Sequence, residues 1–357
     1  MQKKLSSSSK VLVIVGPTAS GKSEVAVRLA KKFSAYGGGE VISADSRQVY
    51  RHLNIGTGKI PRDQTCHSEP KARNLLRSFS AKADQDDKQI CYFYKGVRHH
   101  LIDVASPRRT FTVVRYQKLA RKALQDILEH GKLPIIAGGT GFYIDALLSN
   151  QSFPPVPPQP KLRRDLEQLS TEELFERLKK IDKKRAETID KKNKRRLVRA
   201  LEIALAPRGR GVFFPQSHVW ELDSQTLKMG ILVEREELKK KIGKRLRDRL
   251  KKGMIEEVQN LRKPFNVNGA PAFSASWRIR TGRYGLSWKR LDDLGLEYRY
   301  VSRYLRGVLS YEEMVEQLER AIFKYAKRQM TWFRRDKNIR WVRTYKEAEK
   351  LVRDFLR

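Results

Sequence analysis

Residues 16–23 read Gly-Pro-Thr-Ala-Ser-Gly-Lys-Ser and directly follow the apolar run Val11-Leu12-Val13-Ile14-Val15. Few short patterns constrain a fold as strongly. G-x-x-x-x-G-K-[ST] requires a buried strand, a tight loop, and a helix whose N-terminus closes on the loop. The helix is legible, because Val25, Leu29, Ala30 and Phe33 share one face. In such a loop backbone N–H groups converge on an anion. The helix N-terminus adds partial positive charge and Lys22 a full one. The Ser23 hydroxyl is placed to ligate Mg2+. The expected ligand is a diphosphate or polyphosphate bound along Gly16, Pro17, Thr18, Ala19, Ser20, Gly21, Lys22 and Ser23. Whether its phosphate is transferred, hydrolysed or expelled stays open.

The alternation of strands and helices continues. A second strand, Glu40 to Ala44, ends in Asp45, and Leu101-Ile102-Asp103 resumes a strand or strand end. Val114 to His130 has the pattern of a helix closed by Gly131. The run Leu133 to Ala137 is a buried strand leading into Gly138-Gly139-Thr140-Gly141. This order predicts an α/β fold, a P-loop NTPase-like parallel sheet with helices on both faces. Ligands in such a sheet gather at the C-terminal strand ends. Residues 61–97 read as a polar inserted segment with one short helix around Ala72 to Phe79.

The stretch Phe153-Pro154-Pro155-Val156-Pro157-Pro158-Gln159-Pro160 is a stiff linker that excludes helix. Beyond it come short charged helices, with Ser170 and Glu173 in a capping-box pattern ahead of Leu174, Phe175 and Leu178. Residues 154–222 are therefore expected to form a helical insertion domain. Residues 1–153 and 223–357 would form the catalytic core with its C-terminal helices. A strand resumes at Met229 to Val233. A long helix follows on Leu238, Ile242, Leu246 and Leu250, is interrupted at Gly253, and continues through Ile255, Val258 and Leu261. Residues 263–290 read as an irregular loop. Ser310 and Glu313 cap a last strong helix that buries Met314, Leu318, Ile322 and Tyr325.

The charge of the chain narrows its partners. Lys and Arg number 76 against 40 Asp and Glu, a formal net charge of +36. That excess points to a polyanion, with nucleic acid first; the alternative is a chain that is basic for solubility. Cys66 and Cys91 are the two cysteines, too few for a disulfide framework, as expected of a cytoplasmic protein. With His67, His99 and His100 they match no zinc spacing. No apolar run approaches the roughly 18 residues of a membrane span, so no membrane association is expected.

Asp45, at a strand end beside the phosphate loop, can bind a metal, a ribose or an amine, or can cap the strand. Leu101-Ile102-Asp103 is a weak match to the apolar strand ending in Asp that NTPases carry, and nothing reads as the arginine-rich lid of a kinase. Three basic patches stand out: Lys191 to Arg199, the polar face from Lys239 to Lys252, and Lys327 to Arg335. The last places Trp332 and Phe333 among cations, a pattern suited to stacking on unpaired bases beside phosphate contacts.

Seven segments occur in one order: Gly16 to Ser23, Asp45-Ser-Arg-Gln-Val-Tyr50, Asn54-Ile-Gly-Thr57, His100-Leu-Ile-Asp103, Gly138-Gly-Thr140, Arg196-Leu-Val-Arg-Ala-Leu-Glu202 and Lys327-Arg-Gln-Met-Thr-Trp332. Together the chain resembles the tRNA isopentenyltransferase (dimethylallyltransferase) family from about residue 11 to 335. The resemblance implies transfer of a dimethylallyl group from its diphosphate to N6 of an adenine just 3′ of the anticodon, with Mg2+, by a monomer. It implies Asp45 as general base, Arg245 on the diphosphate and Thr140 near the reacting centre. It also implies tRNA contacts at Asp45, Ser46, Arg47, Gln48, Thr140 and Arg163. Further tRNA contacts would lie at Arg195, Arg196, Leu197, Val198 and Arg199, and at Lys327, Arg328, Gln329, Trp332 and Arg334. The chain departs from the family pattern at Arg195 (usually Gln), Lys241 (usually Arg) and Glu297 (usually Gly). Residues 61–97 and 263–290 are longer than usual. Competing readings are a prenyltransferase of free adenine nucleotides, a P-loop kinase of nucleotides or polynucleotide ends, and a non-catalytic RNA-binding protein that keeps its phosphate loop for structure.

Overall fold

The computed structural model describes residues 10–33, 37–63, 92–149, 153–154, 156–206, 225–263 and 284–357. They fall into two units, one of residues 1–149 with 221–357, the other of residues 150–220.

The first unit is built on the apolar run read above. Val11–Val15 forms β1, and all five residues are buried, as a central strand covered on both faces requires. The phosphate loop leads into α1 (Lys22–Lys32), and β2 spans Gly39–Ala44. A hairpin of β3 (Tyr92–Tyr94) and β4 (Val97–His100) turns at Lys95-Gly96, both at positive φ. Then come α2 (Val113–Glu129), β5 (Leu133–Gly138) and α3 (Gly141–Leu148).

The second unit holds α4 (Pro160–Glu167), α5 (Thr171–Ile181), α6 (Lys183–Thr188) and α7 (Lys194–Ala204). The Ser170–Glu173 capping box forms, and Pro160 opens α4 instead of ending the linker, because its missing N–H costs nothing in a first turn. A small core of Leu166, Leu174, Leu178, Ala186, Leu197, Val198, Ala200 and Leu201 holds these helices.

The first unit resumes with β6 (Thr226–Ile231) and α8 (Arg235–Lys251), which ends where Gly253 takes φ 92°. Next are α9 (Met254–Arg262), α10 (Trp288–Leu294), α11 (Leu296–Leu305) and α12 (Tyr311–Phe333), the last with the Ser310–Glu313 capping box. The chain closes with β7 (Arg340–Val342) and α13 (Tyr345–Leu356).

Among the described residues seven strands form one sheet in the order β3-β4-β2-β5-β1-β6-β7. Every neighbouring pair is parallel except β3 with β4. The expected parallel sheet is thus mixed at one edge, because a two-residue turn joins antiparallel strands without a crossover helix. Helices α1 and α13 pack with Leu12, Ile14 and Ile135 on one face, and α2 packs against β2 and β5.

The strand order positions the site. β5 lies between β1 and β2, in register through Ile14↔Ala137 and Ala44↔Gly138. The phosphate loop, the glycine-rich turn and Asp45 therefore leave three adjacent strands at the same sheet edge. Three expectations shift. Leu101-Ile102-Asp103 lies just past β4 as a bend, with Leu101 and Asp103 at positive φ. Helix α10 begins inside the stretch expected to be an irregular loop. The strand expected at Met229 to Val233 begins at Thr226. The helix expected around Ala72 to Phe79 falls outside the described residues.

Candidate active site

The three turns at this edge are tied together by backbone and buried amide groups. A Cβ at Gly138 would lie 2.1 Å from Ala44 O, and one at Gly139 would lie 2.2 Å from Gln329 Nε2. At Gly138 the obstacle is backbone and only glycine allows the approach; at Gly139 it is the end of a side chain, which a Cβ would displace. Gln329 uses the space: its Nε2 donates to Gly139 O at 2.7 Å, and its Oε1 accepts the Thr18 N–H at 2.9 Å. One buried side chain of α12 thus joins the phosphate loop to the glycine-rich turn.

Within the phosphate loop, Lys22 Nζ donates to Pro17 O at 2.6 Å and lies 3.5 Å from Ser20 Oγ. Burial pushes the Lys22 ammonium down to about 8; Asp45 opposes that and Arg245 adds to it. Gly21, at the N-cap of α1, carries no side-chain cap, which leaves an open helix N-terminus facing the loop. Ser23, in the first turn of α1, is exposed.

Asp45 caps the turn that follows β2. Its Oδ1 accepts the N–H groups of Arg47 at 2.8 Å and Gln48 at 3.3 Å. Thr140 is anchored from the next strand: its N–H donates to Ala44 O at 3.1 Å, and its Oγ1 accepts the Ser46 N–H at 3.1 Å. Tyr325 of α12 completes the group. Its hydroxyl lies beside Thr140 and is pushed up to about 12 by burial and by the charge of Asp45. The periodicity of α12 marked Tyr325 only as a core residue; nothing in the spacing distinguishes a tyrosine that ends at a site from one that ends in a core.

Arg245 reaches the site from α8, packed against the backbone at Gly58. Burial pushes its guanidinium down, Arg249 adds to this, and Glu297 and Asp45 oppose it. Lys22, Asp45 and Arg245 therefore form one electrostatic group. Asp103, the weak match to an NTPase aspartate, is spent on the buried Lys59 ammonium.

The basic segments divide. Arg195 and Arg196 of α7 are exposed. Leu197 and Val198 are not surface contacts: both are buried in the helical core, because a helix that turns arginines outward must turn the next residues in. Arg163 and Arg199 are half-buried on Glu202. Arg163 grips it through Nε at 2.8 Å and Nη2 at 2.7 Å, and Arg199 adds a hydrogen bond from Nη1. On α12, Lys327 and Arg328 are exposed, as is Arg334 at its C-cap, whereas Gln329 is the internal brace described above and Phe333 is buried. Trp332 is half-buried, and its Nε1 donates to Asp145 Oδ2 at 2.9 Å. Arg47 donates to Asp293 O at 2.9 Å, and Gln48 Oε1 lies 3.4 Å from Ser43 Oγ.

Among the described residues no cluster of three His, Cys, Asp or Glu is arranged to hold a metal. His100 is buried against Glu40 at 2.6 Å, His99 Nδ1 is bonded to Val97 O, and Cys66, His67 and Cys91 fall outside the described residues. In the phosphate loop the exposed Ser23 hydroxyl is the side chain that could hold a metal. No described helix is long and apolar enough to cross a membrane.

This chain matches two family models. The model of the IPP transferase family covers residues 76–336, and that of the isopentenyl transferase family covers residues 9–79. It is 39% identical to a tRNA dimethylallyltransferase 2 of Pelobacter propionicus, over 93% of this chain and 89% of that one. It is 36% identical to a tRNA dimethylallyltransferase of Acetivibrio thermocellus, over 96% and 95%. Among solved structures, the full-length tRNA isopentenylpyrophosphate transferase of Bacillus halodurans superposes with a TM-score of 0.58 at 29% identity, covering 98% of this chain and 97% of that one.

Proposed function

We propose, from the premise that this chain belongs to the IPP transferase family, that it transfers a dimethylallyl group from dimethylallyl diphosphate to N6 of an adenine just 3′ of a tRNA anticodon. The observation that carries this reading is the meeting of a phosphate loop, a carboxylate and a half-buried arginine at one sheet edge.

A diphosphate seated on the loop lies against Lys22 and Arg245, whose fixed charges stabilise the negative charge that grows as the C1–O bond breaks. The adenine amine attacks C1, and a new N6–C1 bond forms. Asp45 accepts the amine's proton, and diphosphate leaves intact. Asp45 suits that role because the Arg47 and Gln48 amides hold its carboxylate at a fixed angle. Thr140 and Tyr325 line the same point. Bound Mg2+, with Ser23 as its protein ligand, would add charge neutralisation on the diphosphate. The target base must leave its stack to reach such a site, which costs a few kcal/mol. Exposed cations at Arg195, Arg196, Lys327, Arg328 and Arg334 are suited to supply that through phosphate contacts. We place the protein in the cytoplasm as a monomer.

The test is incubation with tRNA, dimethylallyl diphosphate and Mg2+, followed by mass spectrometry of the nucleosides. Prenylated adenosine is expected. Asp45→Asn keeps an oxygen for the Arg47 and Gln48 amides but loses the base, so its single-turnover rate should fall roughly a hundredfold or more while tRNA affinity holds. Phosphoryl transfer without prenylated adenosine overturns the reading. Prenylation of free nucleotides but not of tRNA moves it to the small substrate.

A further inference from the structure

Glu257 of α9 stands outside every segment assigned above, yet its carboxylate is saturated. Oε2 accepts the N–H groups of Asn54 and Ile55, each at 2.8 Å. Oε1 accepts the Gly56 N–H at 3.0 Å and the Tyr298 hydroxyl at 2.8 Å. Three successive backbone amides aimed at one point form the kind of concavity that binds an anion. Here the anion is a side chain of the protein itself, so the arrangement works as a clamp on residues 54–56.

The clamped segment leads straight to Arg245. At Gly58, φ is 60°, and a Cβ there would lie 2.7 Å from Arg245 Nη2. The guanidinium rests on bare backbone. The rest of the segment is pinned as well: Arg249 donates to Gly56 O at 2.6 Å and to Glu297 at 2.9 Å. The buried Lys59 ammonium donates to Tyr50 O at 2.6 Å, to Asn54 Oδ1 at 3.2 Å and to Asp103. Residues 54–59 thus form a fixed wall beside the arginine: the 54–56 amides end on Glu257, and those of Gly58 and Lys59 close back on Ile55 O and Asn54 O.

We propose that Glu257 is a positioning residue for the diphosphate site: by fixing the 54–56 amides to α9 it holds the Gly58 backbone against Arg245 and so sets where the guanidinium meets the diphosphate. The proposal rests on the reading of Arg245 as a diphosphate ligand. Glutamine at 257 keeps the shape but puts an N–H2 against backbone donors: with it at the Oε1 position the Tyr298 hydroxyl can turn to accept, and the Gly56 N–H is left without its partner.

The experiment is calorimetric titration with inorganic diphosphate and Mg2+ on the full chain. The variants are Glu257→Gln, Arg245→Ala, the two combined, and Tyr298→Phe, each with its melting temperature and tRNA affinity. Glu257→Gln should weaken diphosphate binding roughly tenfold, the scale of a lost supporting shell, with tRNA affinity unchanged. In the Arg245→Ala background it should weaken it no further. Tyr298→Phe removes a bond to the same carboxylate but none of the amides, so it should melt lower and bind diphosphate normally. Additive losses, normal affinity in Glu257→Gln, or an affinity loss in Tyr298→Phe that follows its melting temperature would each overturn the proposal. Normal affinity in Arg245→Ala would overturn the reading of Arg245, and this proposal with it. If Glu257→Gln does not fold, Gly58→Ala presses on Arg245 from the wall side. It should lower diphosphate affinity only while Arg245 is present, and normal affinity there also overturns the proposal.

Discussion

The two units handle positive charge in opposite ways. At the sheet edge, Lys22 and Arg245 are half-buried; burial lowers both, Arg245 lowers Lys22 further, and Asp45 opposes the shift of each. In the helical unit, Arg195 and Arg196 stand in solvent, and the half-buried Arg163 and Arg199 lie on a carboxylate that has no exposure at all. Burial pushes that Glu202 carboxyl up, but hydrogen bonds from Arg163, the Gln159 N–H and Arg199 outweigh it and bring it down to about 2. The contrast is one of ligand. A diphosphate is small and must be met at fixed angles, so its cations are held by buried backbone and amide groups. An RNA backbone is long and repetitive, so a stable helix with exposed arginines is enough to meet it.

The largest effect expected from this contrast is a clean separation of the two tasks. Replacing residues 150–220 by a short bridge should abolish tRNA modification while inorganic diphosphate still binds. That outcome follows if the core of the sheet unit closes without the insertion, as its own apolar cluster indicates. The readouts are nucleoside mass spectrometry and diphosphate titration on the same preparation. Loss of diphosphate binding in a protein that still melts cooperatively would break the comparison, because the insertion would then belong to the catalytic unit.

A smaller effect sharpens it. Reversing Arg195 and Arg196 to Glu should weaken tRNA binding and lower the log–log salt slope by roughly 0.7–0.9 for each phosphate that is no longer neutralised. Reversing Arg163 should instead lower the melting temperature first, since it strips a partner from buried Glu202. Filter binding across a salt series and a thermal melt separate the two. Equal salt slopes for Arg195, Arg196 and Arg163 variants would mean that the distinction between solvated and structural arginines is false.

What could be read from the residues follows the same division. The phosphate loop, β1, β2 and β5 were legible because their function forces a local pattern: an apolar run, glycines at close approaches, a lysine at a helix start. Asp45 could be placed at a strand end, with a metal, ribose or amine ligand and a strand-end cap as its open alternatives; the cap on the Arg47 and Gln48 amides forms. The basic runs showed as charge, but charge alone does not divide Arg196 from Leu197, or Lys327 from Gln329. Burial does that, and it depends on what the other helices bring. The bracing role of Gln329, in place of the tRNA contact expected of it, and the roles of Tyr325 and Glu257 were illegible because each rests on partners far along the chain: Thr18 lies 311 positions from Gln329, and Asn54 lies 203 from Glu257. The C-terminal strand and helix were unread although Thr344 and Glu347, with Ala348, Val352 and Leu356, carry a cap and an apolar stripe. β7 has only three residues, too short for an alternating pattern.

The smallest expected effect concerns the lysine of the loop. Burial brings Lys22 to about 8, so the unliganded site holds a fully charged ammonium well below that pH and loses it above. A bound diphosphate favours the charged form and raises the pKa in the complex. Binding above pH 8 therefore includes uptake of a proton, and affinity falls as pH rises. Relative to pH 6.5, the loss should be about twofold at pH 8 and on the order of tenfold at pH 9. Diphosphate itself titrates over this range, so the comparison needs Lys22→Arg, whose guanidinium stays charged throughout. The ligand's own protonation then appears in both proteins and cancels in the ratio of their affinities. That ratio should move against the native lysine through pH 8 to 9. A ratio flat from pH 6.5 to 9 would mean that Asp45 holds the proton on Lys22 more firmly than burial removes it. The loop's charge would then resemble the solvated arginines of the helical unit, and the comparison between the two regions would lose its electrostatic half.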